Sequence, residues 1–386
     1  MGFTDALCFQ LDMRKTTLQS RLNVYFSQVK GGGPISQQAY SKLRANFDHS
    51  PFETMVRRSM ELEYSRPAEL SAYKGLHVFA VDGNKLQLPR TDEMREEFGT
   101  IGRGHVCFGA GISVLFDVLN GWAVDPEIEN ANRNERVSCA KHIDFFIENM
   151  SHIARSSVIL MDRGYPSYAI LEKLHAVGIK HLVRCSTVSF AKAGNAPMGE
   201  SFVTLQEKKS SMPLCVRVCR FALPSGEIES LITNLIDFDE SALEELYSMR
   251  WGIETMYLKL KRELSVEDFS GKTSNSVRQD FWTFMVLLNT VAVFQNEADE
   301  EVRKRQKPMR LKHSSRARSC DLIITLRDRF IFATLCGRPR VFDVEYPNII
   351  KTLARCVSPI RPGRSRPRVA HPTLHKDFNL NLKSHL

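Results

Sequence analysis

Between residues 76 and 185 the chain alternates apolar strands with amphipathic helices, and this order restricts the fold more than any other feature of the sequence. The segments "LHVFAVDG", "VCFGAGISVLFDVLNG" and "WAVDPEIE" are apolar runs separated by turn residues, which predicts a three-stranded meander. A helical period follows in "NERVSCAKHIDFFIENMSHI", then a strand in "SSVILMDRG", a helix in "PSYAILEKLHAVG" and a strand in "KHLVRC". The order of three strands, helix, strand, helix and strand predicts an α/β fold.

Two aspartates stand where predicted strands end. Asp82 and Asp162 each follow an apolar run and precede a glycine-containing turn. The carboxyl ends of strands are where α/β sheets place ligand-binding groups, so the two carboxylates are candidate site residues. An aspartate beside a glycine is also a common turn residue, and each position alone is compatible with that local role.

A third acidic residue lies in a segment that predicts one long helix, "DESALEELYSMRWGIETMYLKLKREL". Four residues in it stand at offsets of 0, 3, 7 and 14, namely Tyr247, Arg250, Glu254 and Lys261. At about 100° per residue, these offsets place all four side chains on one stripe of a continuous helix. Two aspartates and one glutamate that converge could hold two divalent ions about 3.5–4 Å apart, an arrangement that activates a nucleophile at a phosphodiester. Mg²⁺ is suited to such oxygen ligands.

The same residues carry a resemblance to a known family. The pattern Y-x2-R-x3-E-x6-K of the four residues resembles the signature of the DDE transposases of the insertion-sequence-four family. The segments "AVDGNKLQLP" around Asp82 and "LMDRGYPSY" around Asp162 resemble the first two acidic motifs of that family. Further similar segments are "SVLFDVLNG", "NERVSCAKH" and "RPGRSRPR", so the resemblance covers roughly residues 35–370.

The resemblance implies an RNase H-like catalytic core of the retroviral integrase superfamily. To this core it adds a β-rich insertion and an N-terminal helical DNA-binding region. We therefore expect a helix-turn-helix-like region in residues 1–70, a catalytic core in residues 71–300 and a basic C-terminal region in residues 301–386. The short β-like pieces of residues 186–235 would form the insertion.

The function implied is DNA transposition by cut and paste. On this reading the protein binds inverted terminal repeats, and Asp82, Asp162 and Glu254 bind two Mg²⁺ ions, for which Mn²⁺ could substitute, to cleave and transfer DNA strands. Double-stranded DNA carrying the repeats, target DNA and a second copy of the chain in a paired-end complex would be its partners. Two alternatives remain open at this point. The chain could be an RNase H-like nuclease or resolvase without strand transfer, or a domesticated DNA-binding factor whose catalytic site has lapsed.

Several residues are predicted to contact DNA. Tyr247, Arg250 and Lys261 would contact phosphates near the cut, because cations position a strand without reading its sequence; otherwise they are surface residues of a helix. Trp251 could stack on an unpaired base or belong to the core. Arg163, next to Asp162, could touch a phosphate.

A short N-terminal segment, "ISQQAYSKLRANF", predicts a helix after a Gly-rich turn. Its expected apolar stripe consists of Ala39, Leu43 and Phe47. The polar residues that would point away from this stripe are Gln38, Ser41 and Lys42. This pattern is compatible with a recognition helix that contacts bases in a DNA groove, and equally with any small amphipathic helix.

The net charge of +9 is distributed unevenly along the chain. Residues 301–386 contain 20 Lys and Arg against 6 Asp and Glu, a net charge of +14, which leaves −5 for the rest. A basic C-terminal segment after a mildly acidic remainder suggests that this segment binds nucleic acid. A solvent-exposed tail without a binding partner could have the same composition. The sequence shows neither a secretory signal nor a membrane-spanning run, and its nine cysteines are scattered. We therefore expect a cytoplasmic protein, associated with the bacterial nucleoid, that does not bind membranes.

Overall fold

The computed structural model describes residues 1–12, 16–27, 33, 35–102, 106–207, 213–223, 226–305, 315–317 and 339–359. The α-helices of this part of the chain are α1 (Phe3–Leu11), α2 (Leu18–Tyr25), α3 (Gln37–Arg44), α4 (Ser50–Tyr64), α5 (Asp92–Phe98), α6 (Glu135–Met150), α7 (Tyr168–Val177), α8 (Ala191–Gly194), α9 (Glu240–Ser248), α10 (Trp251–Leu258), α11 (Ser274–Arg305) and α12 (Pro339–Leu353). The strands are β1 (His77–Gln87), β2 (Thr100–Ile101), β3 (Cys107–Asp117), β4 (Trp122–Asn130), β5 (Ser157–Met161), β6 (Lys180–Arg184), β7 (Gly199–Leu205), β8 (Leu214–Ala222), β9 (Ile228–Thr233), β10 (Ser315–Ala317) and β11 (Val357–Pro359). None of the described helices combines the length and the apolar character needed to cross a membrane.

The chain divides into two compact units. Unit 1 comprises Met1–Val56, Leu86–Gly109 and Lys259–Leu386, and unit 2 comprises Arg57–Lys85 and Ala110–Leu258. The predicted three-part division of the chain stays a prediction. Most of the basic region predicted for residues 301–386, including "RPGRSRPR", lies outside the described residues.

Unit 2 is built on a mixed sheet whose strands follow the order β4-β3-β1-β5-β6-β9-β8-β7. Strand β1 pairs in parallel with β5, and β5 pairs in parallel with β6. The paired part of β1 and all of β5 are buried on both faces, as the continuous apolar runs in their sequences require. The predicted strands and helices occur in the predicted order, but helix α5 and strand β2, which were not predicted, lie between β1 and β3. The fold is a mixed α/β fold.

Residues 186–235 contain three strands that extend this sheet. Strand β9 pairs antiparallel with β6, β8 with β9, and β7 with β8. The pairing of Val183 with Ile232 joins these strands directly to the strand that follows α7. The β-rich segment thus continues the hydrogen-bonded ladder of unit 2.

Two local predictions were wrong. Strand β1 does not turn at Gly83 but continues to Gln87, where buried side chains resume. The predicted long helix is broken in two, because α9 ends at Ser248 and α10 begins at Trp251. Hydrogen bonds from N–H groups to carbonyls three residues earlier, such as Gly252 to Met249 at 2.8 Å, tighten the chain at this break.

Unit 1 holds its N-terminal helices with a buried polar network. Arg44 of α3 donates to Asp280 of α11 at 2.8 Å, and the side chains of both residues are almost fully buried. Arg44 also donates to the carbonyl of Ser276 at 2.7 Å. A buried pair of this kind is tolerated only when its remaining hydrogen-bonding groups are also satisfied, as they are here.

This network corrects the expected orientation of α3. Its buried residues are Tyr40 and Arg44, whereas the predicted stripe is exposed at Ala39 and only half-buried at Leu43 and Phe47. The difference arises because Arg44 has a buried carboxylate to pair with, which the local sequence does not reveal. The predicted cap is present, since Ser36 Oγ accepts a hydrogen bond from the Ala39 N–H at 3.2 Å.

A buried histidine in unit 2 makes stability depend on pH. Both ring nitrogens of His181 are buried without a hydrogen-bond partner, and its ring lies 5.2 Å from that of His175. Burial, with smaller effects of the neighbouring His175 and Lys180, lowers the pKa of His181 to about 3. The folded state therefore excludes a proton that the unfolded state binds.

We expect the stability contributed by neutral His181 to be complete above about pH 6.5 and to be lost progressively as the pH falls towards 3. The variant His181→Leu should raise the melting temperature at pH 5 more than at pH 8, because leucine has no proton to exclude. Thermal unfolding between pH 4 and pH 8 measures this difference. The control is His152→Leu, at an exposed histidine whose ring contacts the Tyr64 carbonyl at 3.0 Å. A pH dependence unchanged by His181→Leu would contradict the assignment.

Candidate active site

Strand pairing brings the two predicted aspartates together. Val81 of β1 lies opposite Met161 of β5, so Asp82, which lies within β1, and Asp162, which directly follows β5, are next to each other at the carboxyl end of β5. The turn after β5 is held by the N–H of Tyr165, which donates to the Asp162 carbonyl at 3.1 Å. Both aspartates are half-buried, so their carboxylates are accessible to a ligand.

Helix α10 contributes the third carboxylate. Its second residue, Gly252, packs against the chain after β3 so tightly that a Cβ atom there would lie 2.8 Å from Val118 Cγ1. Two residues further on is Glu254, whose Oε1 accepts a hydrogen bond from Arg250 at 3.1 Å. The same helix presents Tyr257, whose hydroxyl donates to the Asp82 carbonyl at 2.7 Å. Helix α10 is therefore fixed directly to the strand that carries Asp82.

The charges of the other two carboxylates act on Asp82. The pKa of Asp82 is raised to about 6, mainly by burial and also by the charges of Glu254 and Asp162. The Gly83 N–H and the Arg250 charge act in the opposite direction. The structure thus brings the predicted acidic residues into one electrostatic cluster, which we call the acidic cluster: Asp82, Asp162 and Glu254.

The acidic cluster fits a divalent cation by its chemistry. Within the described ranges, no three His, Cys, Asp or Glu side chains already surround one point as metal ligands. The donor set consists of carboxylate oxygens, which hard cations such as Mg²⁺ prefer. A cation would also favour the charged form of Asp82, whose pKa is raised mainly by burial and also by the charges of Glu254 and Asp162.

Arg250 is a buried cation that interacts electrostatically with all three carboxylates of the acidic cluster. It is 7% exposed, and its guanidinium carbon lies 5.7 Å from the Tyr247 ring centre and 5.6 Å from that of Trp251. Burial acts to lower the pKa of Arg250, but Tyr247, Asp162, Glu254 and Asp82 together raise it above its ordinary value. Arg250 therefore remains charged and offsets part of the acidic cluster.

Two buried donors in this region make no hydrogen bond. They are the Nε atom of Arg250 and the hydroxyl of Tyr247. Burial raises the pKa of Tyr247, so the hydroxyl stays protonated and remains a donor. Asp162 and the buried Glu229 of β9 both interact electrostatically with Tyr247. Both carboxylates also interact electrostatically with Arg250. An unsatisfied buried donor is costly unless an acceptor from a ligand can reach it.

The other predicted site residues lie in different places. Trp251 is 48% exposed, and Arg163 is exposed directly after Asp162. Lys261 belongs to unit 1, in the π-helical segment Lys259–Glu263, and its Nζ lies 3.5 Å from Glu267 Oε1. The three polar residues of α3 also belong to unit 1 and are exposed on its surface: Gln38, Ser41 and Lys42.

The sequence did not reveal three residues that surround the aspartates. Tyr257 stands three positions after Glu254, a helical spacing that places both on neighbouring faces and could have identified it. Tyr165 and Glu135 approach Gly83 only through tertiary packing. No local pattern in the sequence marks them.

Comparison with known proteins places the chain in a family. Residues 73–290, more than half of the chain, match the family model of the transposase DDE domain. The chain belongs to the DDE transposase family. The matched region contains the acidic cluster together with Tyr247 and Arg250.

Among solved structures, the transposase is similar to a piggyBac transposase in a synaptic complex with hairpin DNA, solved by cryo-electron microscopy. The TM-score is 0.48 at 11% sequence identity, and the similarity covers 90% of this chain and 76% of that one. No curated protein matches the transposase.

The close approach of Gly252 to Val118 predicts that the effects of substitutions at these two positions on stability are coupled. Gly252→Ala should lower the melting temperature because the added Cβ collides with Val118 Cγ1, although alanine is worth about 1 kcal/mol more than glycine within a helix. Val118→Ala removes the obstructing methyl groups, so the double variant should be more stable than the sum of the two single changes. A double-mutant cycle by chemical denaturation measures this coupling. Additive effects would show that the contact does not position α10.

Proposed function

We propose that this chain is a transposase of the insertion-sequence-four type that cleaves DNA at inverted terminal repeats and transfers the cut ends by cut and paste. The observation that carries the proposal is the acidic cluster, formed by two neighbouring strands and a helix fixed to them, in a member of the DDE transposase family. An RNase H-like core is supported by the order β4-β3-β1-β5-β6. We further propose that the protein works as a homodimer on paired ends in the bacterial nucleoid.

In this proposal Asp82, Asp162 and Glu254 bind Mg²⁺, for which Mn²⁺ can substitute. A cation held there would supply positive charge that stabilises the phosphoryl group during in-line displacement. The hydrogen bond from Arg250 would hold one oxygen of Glu254 and so orient the carboxylate. Tyr257 would fix the backbone of Asp82 through its carbonyl.

Tyr247 and Arg250 would bind the phosphate next to the cut. Their unbonded buried donors suit anionic oxygens, and hydrogen bonds between a charged donor and phosphate are among the stronger ones. Arg163 and Lys261 would add further phosphate contacts. The exposed ring of Trp251 would stack on an unpaired base.

Helix α3 would read the terminal repeat. Its inner face is fixed by the buried pair of Arg44 and Asp280, and its outer face presents Gln38, Ser41 and Lys42 to solvent. Amide and hydroxyl side chains can pair with base edges in the major groove, and a lysine can contact phosphate. The fixed inner face would keep this outer face in a constant orientation.

The first test is cleavage and joining of DNA that carries the element's own terminal repeats, with Mg²⁺ present. Glu254→Gln should lower the cleavage rate roughly 10³-fold, because losing one ligand oxygen charge removes several kcal/mol of transition-state stabilisation. The matched control is Glu244→Gln, at an exposed glutamate of α9. No cutting by the unaltered protein would reject the proposed function, and cutting without joining would favour a nuclease.

The second test concerns α3. Gln38→Ala together with Ser41→Ala should weaken binding to terminal-repeat DNA by about 1–3 kcal/mol per lost base contact and leave binding to unrelated DNA unchanged. Lys42→Ala should weaken both and reduce the slope of log affinity against log salt concentration by about 1. Titrations at several salt concentrations measure both effects, with Lys272→Ala, an exposed lysine elsewhere in unit 1, as the control. If the Gln38 and Ser41 double variant lost the same affinity for terminal-repeat DNA and for unrelated DNA, sequence recognition by this helix would be rejected.

A further inference from the structure

Arg217 of β8 is a buried cation that binds backbone carbonyls. Its Nη1 atom donates hydrogen bonds to the carbonyl oxygens of Leu235 at 2.8 Å, Ile236 at 3.3 Å and Phe238 at 2.6 Å. The residue is 5% exposed. Three carbonyls of one short segment, residues 235–238, therefore converge on one charged donor. Hydrogen bonds to a charged donor are stronger than those between neutral groups.

Segment 235–238 leads directly into α9. Asp239, which follows Phe238 in the chain, is the N-cap of α9, and its Oδ1 accepts a hydrogen bond from the Ala242 N–H at 2.8 Å. The last carbonyl that Arg217 holds thus belongs to the residue next to the cap. Arg217 therefore fixes the point at which α9 begins.

The same segment is held from a second side by residues that lead into β1. The Lys74 Nζ atom lies 5.5 Å from the centre of the Phe238 ring, and the ring of Tyr73 lies 6.4 Å from that ring. The Tyr73 hydroxyl also donates to Glu245 Oε2 of α9 at 2.5 Å. These groups are at least partly exposed, so water competes for their interactions. The buried Arg217 is consequently the stronger of the two anchors.

Helix α9 leads to the residues of the candidate active site. Tyr247 lies in its last turn, Arg250 follows at the break, and Glu254 lies in α10. Hydrogen bonds continue across the break, from the Arg250 N–H to the Tyr247 carbonyl at 3.1 Å and from the Ile253 N–H to the Arg250 carbonyl at 3.1 Å. A shift at the start of α9 would therefore be transmitted to these three side chains through continuous backbone hydrogen bonds.

We propose that Arg217 is a positioning residue for the acidic cluster. By holding segment 235–238 it sets where the helix pair α9 and α10 lies, and so places Glu254 beside the two aspartates. The β-rich segment of residues 186–235 thereby anchors the helix pair that carries the third carboxylate. The inference rests on the proposed function, in which Glu254 binds Mg²⁺.

The first measurement is hydrogen exchange by mass spectrometry on the full-length protein without DNA. In Arg217→Ala the amides of residues 239–258 should exchange about tenfold faster, because local opening of the helix pair becomes easier, whereas β5 and β6 should be unchanged. The matched control is Arg220→Ala, at a second arginine of β8 that donates to Ser230 Oγ at 3.0 Å and to the Ala196 carbonyl. It should leave exchange in residues 239–258 unchanged.

The second measurement is the rate of cleavage of terminal-repeat DNA as a function of Mg²⁺ concentration. Arg217→Ala should lower the maximal rate roughly 10–100-fold, since a displacement of about 1 Å can have that effect. It should also raise the Mg²⁺ concentration that gives half the maximal rate, because the ligand oxygens would no longer converge. A purely structural loss of folded protein would lower the rate without changing this concentration.

Two further variants complete the test. Glu200→Gln removes the charge of a half-exposed carboxylate that pairs with Arg217 Nη2 at 2.8 Å, and it should change neither measurement because the carbonyls remain bound. Arg217→Lys is used if the alanine variant does not fold. Lysine keeps the charge and three donors but lacks the guanidinium fork, so both effects should appear at reduced size.

The inference and the proposed function fail separately. Exchange that rises equally throughout unit 2, or a lower rate at an unchanged Mg²⁺ dependence, overturns the role of Arg217. If the unaltered protein neither cuts nor joins DNA, the proposed function fails, and the exchange measurement still decides whether Arg217 holds the helix pair. If it cuts and joins DNA while Arg217→Ala changes neither exchange nor Mg²⁺ dependence, only the role of Arg217 fails.

Discussion

The parallel pairing of β1 with β5 is the constraint on which the candidate active site depends. Because Val81 lies opposite Met161, the residue that follows each of them is an aspartate, and strands in a sheet are only about 4.8 Å apart. Two carboxylates so close repel each other, and partial burial removes water that would screen them. Burial is the main cause that raises the pKa of Asp82 to about 6, and the charges of Glu254 and Asp162 contribute to it. Arg250 offsets part of this cost because it is buried, charged and bonded to the third carboxylate.

The third carboxylate depends on a close approach that only glycine permits. Gly252 lets α10 come near Val118, and Tyr257 then reaches the Asp82 carbonyl. The break between α9 and α10 is part of the same arrangement, since tighter hydrogen bonds at residues 250–253 redirect the chain before Glu254. The local sequence favours one continuous helix, so the break between α9 and α10 is determined by tertiary packing.

The sequence predicts the elements of this fold well where the signal is local. Apolar runs identify β1, β3 and β5, because side-chain burial in these strands is encoded residue by residue, although β1 continues past Asp82 to Gln87. The orientation of α3 could not be predicted, because Arg44 is buried by Asp280, 236 residues away in the chain. Glu135 and Tyr165 were missed for the same reason. Their proximity to Gly83 exists only after the sheet and α6 have packed.

The buried polar groups on the helical side of the acidic cluster are donors without acceptors. They are the Tyr247 hydroxyl and the Arg250 Nε atom, which favour the anionic oxygens of a phosphate. An unsatisfied buried donor costs free energy in the unliganded protein, and a bound phosphate would remove that cost. The same two residues would therefore contribute more to binding an anionic strand than exposed cations, which water already satisfies.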